Sequence, residues 1–340
     1  MNTPTPLSNP LGFQPLPVLR LYFEASPRQS LQLPAYAGSM LRGAFGHSFR
    51  KLSCMTRQPT CNQCPLLATC PYSQIFETPA IPANTSQVHT PRPYAIEPPN
   101  NRHRQQPAGS TFQFAMVLIG KAIHQLPLII LAWEQALKDG LGKHKQACDL
   151  LCVHMGNPQA PVYRPGYPLQ PIPDIHHPSL NWHNRRQIVL RIHTPLRLQQ
   201  NGRLVGTREL NARHLLVTLA RRQQRLSAAY QPDNSGPDFR ALTQAASQIQ
   251  LEQRLHWFDW ERYSNRQQQS MTLGGLIGEL QLTGELEPFA PLLEQGQWLH
   301  VGKETTFGLG HYQLQTHWSS PTIHNTEPGL SSINRLEAES

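Results

Sequence analysis

The sequence predicts an α+β protein made of two tandem ferredoxin-like domains, each with the element order β-α-β-β-α-β. Three observations predict it. Short runs that alternate apolar and polar residues are interleaved with longer runs of helical spacing. A Pro-rich stretch, 156–180, carries seven prolines and no periodic pattern, and it divides the 340 residues near their middle. The halves on either side read alike, down to a glycine-bearing turn between the last helix and the last strand: 140–144 in the first half, 302–310 in the second.

The second half gives the clearer elements. Gln-Ile-Val-Leu-Arg-Ile-His at 187–193 alternates as a strand. A helix over 209–230 places Leu215, Leu216, Leu219 and Leu226 on one face. An aromatic strand follows at 256–260, then an alternating strand at 276–286. A short helix opens at Pro288, where proline suits the first turn, and a strand at 311–314 closes the domain. The first half fits more loosely, with strands at 18–24, 112–120 and 149–154 and helices at 37–52 and 127–138. The predicted units are thus a first domain over 18–155 with a Cys-rich insert at 54–70, a linker over 156–180, a second domain over 181–318 and a tail from 319 to 340.

Composition narrows the partners. A hydrophobic share of 39% supports true cores rather than disorder. Net charge is +9 although charged residues make up only 15%, so Arg and Lys face few carboxylates. That imbalance suits a polyanion, because each neutralised phosphate releases counterions. Residues 1–17 lack the basic and apolar regions of a secretory signal. The longest apolar run, 126–133, is too short to span a bilayer. A cytoplasmic protein without membrane contact is expected.

In that compartment six cysteines read as metal ligands or core rather than disulfides. Cys54, Cys61, Cys64 and Cys70 fall within seventeen residues, and Cys61-Asn-Gln-Cys64 is a C-x2-C knuckle. Four thiolates complete a tetrahedral shell, so structural zinc is the expected occupant; an iron–sulfur cluster takes the same donors. Cys148 and Cys152 read as ordinary buried thiols.

The first predicted helix offers chemistry. Ala37, Leu41, Ala44, Phe45, Phe49 and Leu52 form its apolar arc, and His47 and Lys51, four apart, stack along the edge of that arc. Histidine suits proton transfer near neutral pH. Arg42 and Arg50 on the same helix, Arg262 and Arg266 before Leu273-Gly-Gly, and Lys303 are candidates for RNA backbone contact. In the glycine-rich segment, Gly302, Gly308 and Gly310 permit close backbone approach. Lys303 brings a charge, Thr305 and Thr306 hydroxyls, and Phe307 a stacking face. Its spacing is not that of a nucleotide P-loop, and a tight turn before the last strand explains the glycines equally well. Arg221, Arg222 and Arg225 read as a solvated helix face, and Trp257 and Trp260 as core.

Several of these segments together resemble a known family. They are Gly38-Ser-Met-Leu-Arg-Gly-Ala-Phe-Gly-His47, Leu196-Arg-Leu-Gln-Gln-Asn-Gly-Arg-Leu204, Trp260-Glu-Arg-Tyr-Ser-Asn-Arg-Gln267, Leu273-Gly-Gly-Leu-Ile-Gly-Glu279, Leu286-Glu-Pro-Phe289 and Val301-Gly-Lys-Glu-Thr-Thr-Phe-Gly-Leu-Gly310. The run resembles the CRISPR-associated repeat-processing endoribonucleases of the RAMP superfamily, and the cysteine insert resembles that of a subset of them. The resemblance implies a tandem ferredoxin-like fold and an endoribonuclease that needs no catalytic metal. Such an enzyme cuts CRISPR repeat RNA by 2′-hydroxyl attack, leaving a 2′,3′-cyclic phosphate. It also implies that His47, Lys51 and Tyr36 act in catalysis, and that the partners are repeat RNA, mature guide RNA and subunits of an effector complex, for a monomer or a dimer. Two alternatives stay open: a non-catalytic guide-RNA-binding subunit of such a complex, and a zinc-stabilised nucleic-acid-binding protein unrelated to CRISPR.

Overall fold

The computed structural model describes residues 10–78, 90–99, 104–172, 180–231, 236–259, 261–264 and 269–319; for 261–264 and 269–272 it describes the backbone alone. The first domain comprises β1 (Val18–Pro27), α1 (Gly38–Ser53), β2 (Tyr94–Glu97), β3 (Phe112–Ile119), α2 (Leu126–Asp139) and β4 (Cys148–His154). Its sheet runs β2-β3-β1-β4, with β1 antiparallel to both neighbours. The second comprises β5 (Gln187–Leu196), α3 (Ala212–Tyr230), α4 (Phe239–Ala246), β6 (Gln250–Phe258), β7 (Gly275–Thr283), α5 (Ala290–Leu299) and β8 (Tyr312–Gln315). Its sheet runs β6-β7-β5-β8, the same order. The β-α-β-β-α-β succession read from the sequence is present twice, with α4 added in the second copy.

Alternation explains the first core. Leu19, Leu21, Phe23 and Ala25 of β1 point to one face and are fully buried there. Phe23 stacks on Phe114 at 5.1 Å, and Phe114 meets Trp133 of α2 at 4.5 Å. Each such side chain contributes roughly 1.5–3 kcal/mol on burial. Part of the opposite face of the same sheet is also covered. Val18, Ala95, Val117 and Ile119 pack there with Leu16, and against Leu226 of α3 and Leu299 of α5. The second domain's helices therefore dock on the back of the first domain's sheet.

Five sequence readings are corrected by this docking and its surroundings. Residues 11–16, left outside both predicted domains, are packed into the fold: Leu11 and Phe13 are buried in the second core, and Gln223 and Gln295 donate to the carbonyls of Gln14 and Leu16, each at 3.0 Å. The predicted linker is, through residue 172, an extension of the first domain. Val162 is buried in the first core, its N–H donates to Val153 O at 2.8 Å, and Tyr163 Oη donates to Glu134 at 2.7 Å. Arg222 is half-buried rather than on an open helix face, and its Nε donates to Leu299 O at 2.6 Å between two helices of the second domain; burial lowers its pKa to about 10. Trp257 is not core. It stands 43% exposed on β6, an edge strand whose residues are mostly exposed, with its Nε1 on Asp259. Leu52, assigned to the apolar arc, is likewise exposed at the end of α1.

The strand β2 has no sequence signature. It is four residues long, almost wholly buried, and lies between Pro93 and Pro98, so it shows no alternation. By contrast, Asn201-Gly202 turns a small hairpin with both residues at positive φ, as the dipeptide predicts. Cys148 and Cys152 are buried free thiols, as expected. Of the predicted tail, residues 320–340 lie outside the described residues.

Candidate functional site

α1 carries the first group of candidates. Leu41, Phe45 and Phe49 recur every four residues and are fully buried against α2 and the sheet. The opposing line therefore faces outward, and both His47 and Lys51 are exposed on it. His47 has no hydrogen-bond partner among the described residues. Lys51 Nζ lies 3.8 Å from Asp139 Oδ2, an exposed pair that holds it loosely.

Tyr36 does not join them. It is buried two residues before the helix, and its hydroxyl donates to the carbonyl of Phe307. Burial raises its phenol well above the ordinary value. From Gly38 to His47 is nine residues, about 13 Å along the helix axis. The structure thus separates the predicted trio into an exposed pair on α1 and a buried tyrosine at the domain junction.

The arginines of α1 are also occupied. Arg42 is sandwiched between the rings of Phe76, at 4.4 Å, and Phe307, at 5.2 Å, and its Nε donates to Tyr94 Oη at 3.1 Å. Arg50 donates to the carbonyls of Gln58 and Pro59, at 3.0 Å for the latter, and so holds the cysteine loop. Arg42 is thus held by two rings and a hydroxyl, whereas Arg50 remains half-exposed and is tied to those carbonyls through Nη2. Arg262 has only its backbone described, in the strand Glu261–Ser264, and Arg266 lies outside the described residues.

The cysteine loop folds as its donors require. Cys54, Cys61, Cys64 and Cys70 all line one small pocket, with Arg50 and Tyr72 beside them. Arg57 and Gln63 take left-handed backbone conformations that turn the loop back on itself, and Cys64 N donates to Cys61 O at 3.2 Å. Slight burial pushes the Cys54 thiol up, but hydrogen bonds from Arg57 N–H, Thr56 and Arg50 outweigh it and bring its pKa below the ordinary value. Donor type and convergence fit a four-thiolate ion. The sulfurs stand wider than a closed shell, since no three of them fall within 4.8 Å of one another.

The glycine-rich segment is an interdomain wedge, which corrects its reading as an open RNA cradle. Thr305, Phe307, Gly308, Leu309 and Gly310 are buried, while Lys303 is exposed and Gly302 and Thr306 are half-buried. A short 3-10 turn, Thr305–Phe307, is bounded by left-handed Glu304 and Gly308. Gly308 is required twice over: its φ is +89°, and a Cβ there would strike the Ile96 carbonyl of β2. A Cβ on Gly38 would strike the Phe307 carbonyl in the same way. Of the seven residues of this segment named for RNA contact, Lys303 alone presents a charged side chain to solvent.

The wedge also closes a polar cluster that sequence reasoning missed. Arg20 Nη2 donates to Glu97 Oε1 at 2.8 Å and to Gln297 O at 3.0 Å. His300 places Nε2 2.9 Å from the same Oε1 and Nδ1 3.2 Å from Leu309 O. His311 stacks on His300 at 5.0 Å, and His193 lies 5.2 Å beyond. Burial pushes the Glu97 carboxyl up, but Arg20, His311 and His300 outweigh it and hold it well below the usual carboxylate range. Burial lowers all three imidazoles against the pull of Glu97, His311 to about 3. Glu97 sat unnoticed in a Pro-rich stretch, and the two histidines merely flanked the glycine motif.

Comparison with known proteins follows the same division. Residues 16–174 match the AF_1859_N model, described as an N-terminal domain. Residues 190–312 match the model of the CRISPR-associated endoribonuclease Cas6. No curated protein matches the chain. Among solved structures, a Cas6 (TTHB231) product complex is 16% identical, with a TM-score of 0.54 over 88% of this chain and 100% of that one. Thermus thermophilus Cas6 (TTHB231) is 13% identical, with a TM-score of 0.50 over 89% and 100%. A partial Cas6-RT-Cas1–Cas2 complex is 14% identical, with a TM-score of 0.53 over 88% of this chain and 46% of that one. At these identities the likeness is one of fold.

Proposed function

We propose that this chain, whose residues 190–312 match the model of the CRISPR-associated endoribonuclease Cas6, is a tandem ferredoxin-like protein that binds CRISPR repeat RNA and cuts it without a catalytic metal. The resemblance read in the sequence is borne out by that match. It is the observation that carries the reading, and the paired sheets supply a frame on which one RNA can touch both domains.

In the proposed reaction the 2′-oxygen at the cut site attacks its own phosphorus and gives up its proton. The bond from phosphorus to the 5′-oxygen breaks, and that oxygen takes up a proton. The products are a 2′,3′-cyclic phosphate and a free 5′-hydroxyl. His47 is the proton carrier, exposed on α1 with no competing partner. Lys51, one turn on, supplies positive charge to the phosphorane once RNA draws it from Asp139. Lys303 holds a backbone phosphate. Tyr36 is assigned to the domain junction and not to the chemistry.

One observation favours a second reading. The residues expected to cut do not converge, since Tyr36 is buried and Lys51 is paired. A non-catalytic guide-RNA-binding subunit of a CRISPR effector complex would have no need for them to do so. End-labelled repeat RNA incubated with the chain in EDTA separates the readings. The enzyme yields a shortened RNA ending in a cyclic phosphate, whereas RNA shifted on a gel but uncut supports the subunit. We further propose that Cys54, Cys61, Cys64 and Cys70 hold a structural zinc ion that draws the sulfurs together.

A further inference from the structure

The polar cluster at the domain junction takes no part in the proposed cleavage, and its geometry asks for an occupant. Both ring nitrogens of His300 face oxygens: Nδ1 lies 3.2 Å from Leu309 O and Nε2 lies 2.9 Å from Glu97 Oε1. Both oxygens can only accept, and a neutral imidazole carries a single N–H, so one of the two nitrogens must face its oxygen lone pair to lone pair. In the tautomer whose Nδ1–H donates to Leu309 O, the Nε2 lone pair points at an ionised carboxylate oxygen. Two lone pairs do not rest at 2.9 Å unless something positive lies between them.

His311 provides a second, independent observation. Its side chain is 15% exposed, its Nε2 stands 4.0 Å from the same Glu97 oxygen, and that nitrogen is buried without a hydrogen-bond partner. The backbone on both sides is pinned, because His311 N accepts no freedom to swing: it donates to Thr194 Oγ1 at 2.9 Å, and His193 N donates to His311 O at 2.9 Å. The candidate donor atoms of Glu97, His300 and His311 lie within 4.8 Å of one another, which no other group of three such residues does among the described residues. Ligands bound at roughly 2.1 Å to one ion sit about 3–3.5 Å apart, within the reach of these side chains.

We propose that Glu97, His300 and His311 bind a divalent transition-metal ion of the zinc class, which clasps the two domains together. Two imidazoles and a carboxylate suit such an ion better than magnesium or calcium, which prefer all-oxygen shells. The outer contacts fit as well. Leu309 O fixes the tautomer of His300, as the second partner of a metal-bound histidine does. Arg20 holds the Glu97 oxygen through one lone pair and leaves the other for the ion. Glu97 comes from the first domain and both histidines from the second, so the ion bridges the junction that the glycine-rich wedge closes. A proton on His300 Nε2 is the competing occupant.

The test uses the full chain, equilibrated with excess zinc, desalted and assayed for metal per chain by mass spectrometry. His311→Ala and Glu97→Gln are each expected to hold one zinc fewer than the unmodified protein, whatever the cysteine pocket binds. Equal zinc content in all three overturns the proposal and assigns the gap to a proton. A cobalt spectrum of the unmodified protein gives a reading that needs no variant to fold. The clasp contributes ligand-field bands beyond those of any thiolate site, and a spectrum accounted for by thiolate-bound cobalt alone overturns the proposal.

Discussion

Replacing Phe307 by alanine tests whether the glycine-rich segment is a junction or a surface for RNA. The ring is 5% exposed, and its neighbours in a small buried cluster are Tyr36 and Leu309. Truncating a buried phenylalanine typically costs about 3–5 kcal/mol. The flanking Lys303 and Thr306 reach solvent, so the segment can partly collapse, which argues for the lower end, about 3 kcal/mol. Arg42 also loses one of its two ring faces, though Phe76 at 4.4 Å remains. At roughly 2–4 °C per kcal/mol, the melting temperature should fall by roughly 6–12 °C. Lys303→Ala is the paired control. Its exposed side chain should change stability by no more than about 0.5 kcal/mol, while RNA binding weakens and the slope of log affinity against log salt drops by about one. Calorimetry and filter binding across a salt series read both. If Phe307→Ala keeps the melting temperature of the parent and loses RNA affinity instead, the ring offers its face to RNA and the wedge assignment is wrong.

Tyr36→Phe keeps the ring but leaves the buried Phe307 carbonyl without its donor, so it should cost about 1–3 kcal/mol in chemical denaturation while cleavage stays within about twofold of the parent; a large loss of rate with unchanged stability would return Tyr36 to the chemistry. Lys51→Ala removes an exposed ion pair, worth no more than about 1 kcal/mol, so a fall in single-turnover cleavage without a fall in stability identifies a chemical role. Cys61→Ser should release the zinc proposed for the cysteine pocket and lower the melting temperature, as measured by metal analysis and calorimetry; a stable parent protein that purifies and stays free of zinc at that pocket contradicts the four-thiolate proposal.

What the sequence made legible was local. β1 announces itself because its burial alternates, β5 because it carries a β-branched apolar run at a central position of its sheet, and α1 because its apolar residues recur every four positions. The doubled β-α-β-β-α-β order follows from those signals. What stayed hidden depends on contacts between distant residues. Tyr36 and Phe307 are 271 positions apart, and only domain docking brings the hydroxyl to the carbonyl. The same docking brings Arg42 against Phe307 and gathers Glu97 with His300 across 203 positions. β2 escaped because a short buried strand between prolines carries no period. The glycines of 302–310 were placed correctly between the last helix and last strand. Their purpose was not readable, since a glycine that admits a ligand and one that admits a neighbouring strand look identical in sequence.

The central claim is that this chain cuts repeat RNA and that the proton chemistry resides at the exposed edge of α1. Single-turnover cleavage of its cognate repeat RNA by His47→Ala, in EDTA and with binding measured in parallel, tests it most directly. The parent should give a cyclic-phosphate product, and the variant a rate lower by at least roughly tenfold with affinity little changed. Undiminished cleavage by the variant would remove the proton chemistry from His47, and a parent protein that binds repeat RNA tightly and never cuts it would contradict the assignment of an endoribonuclease.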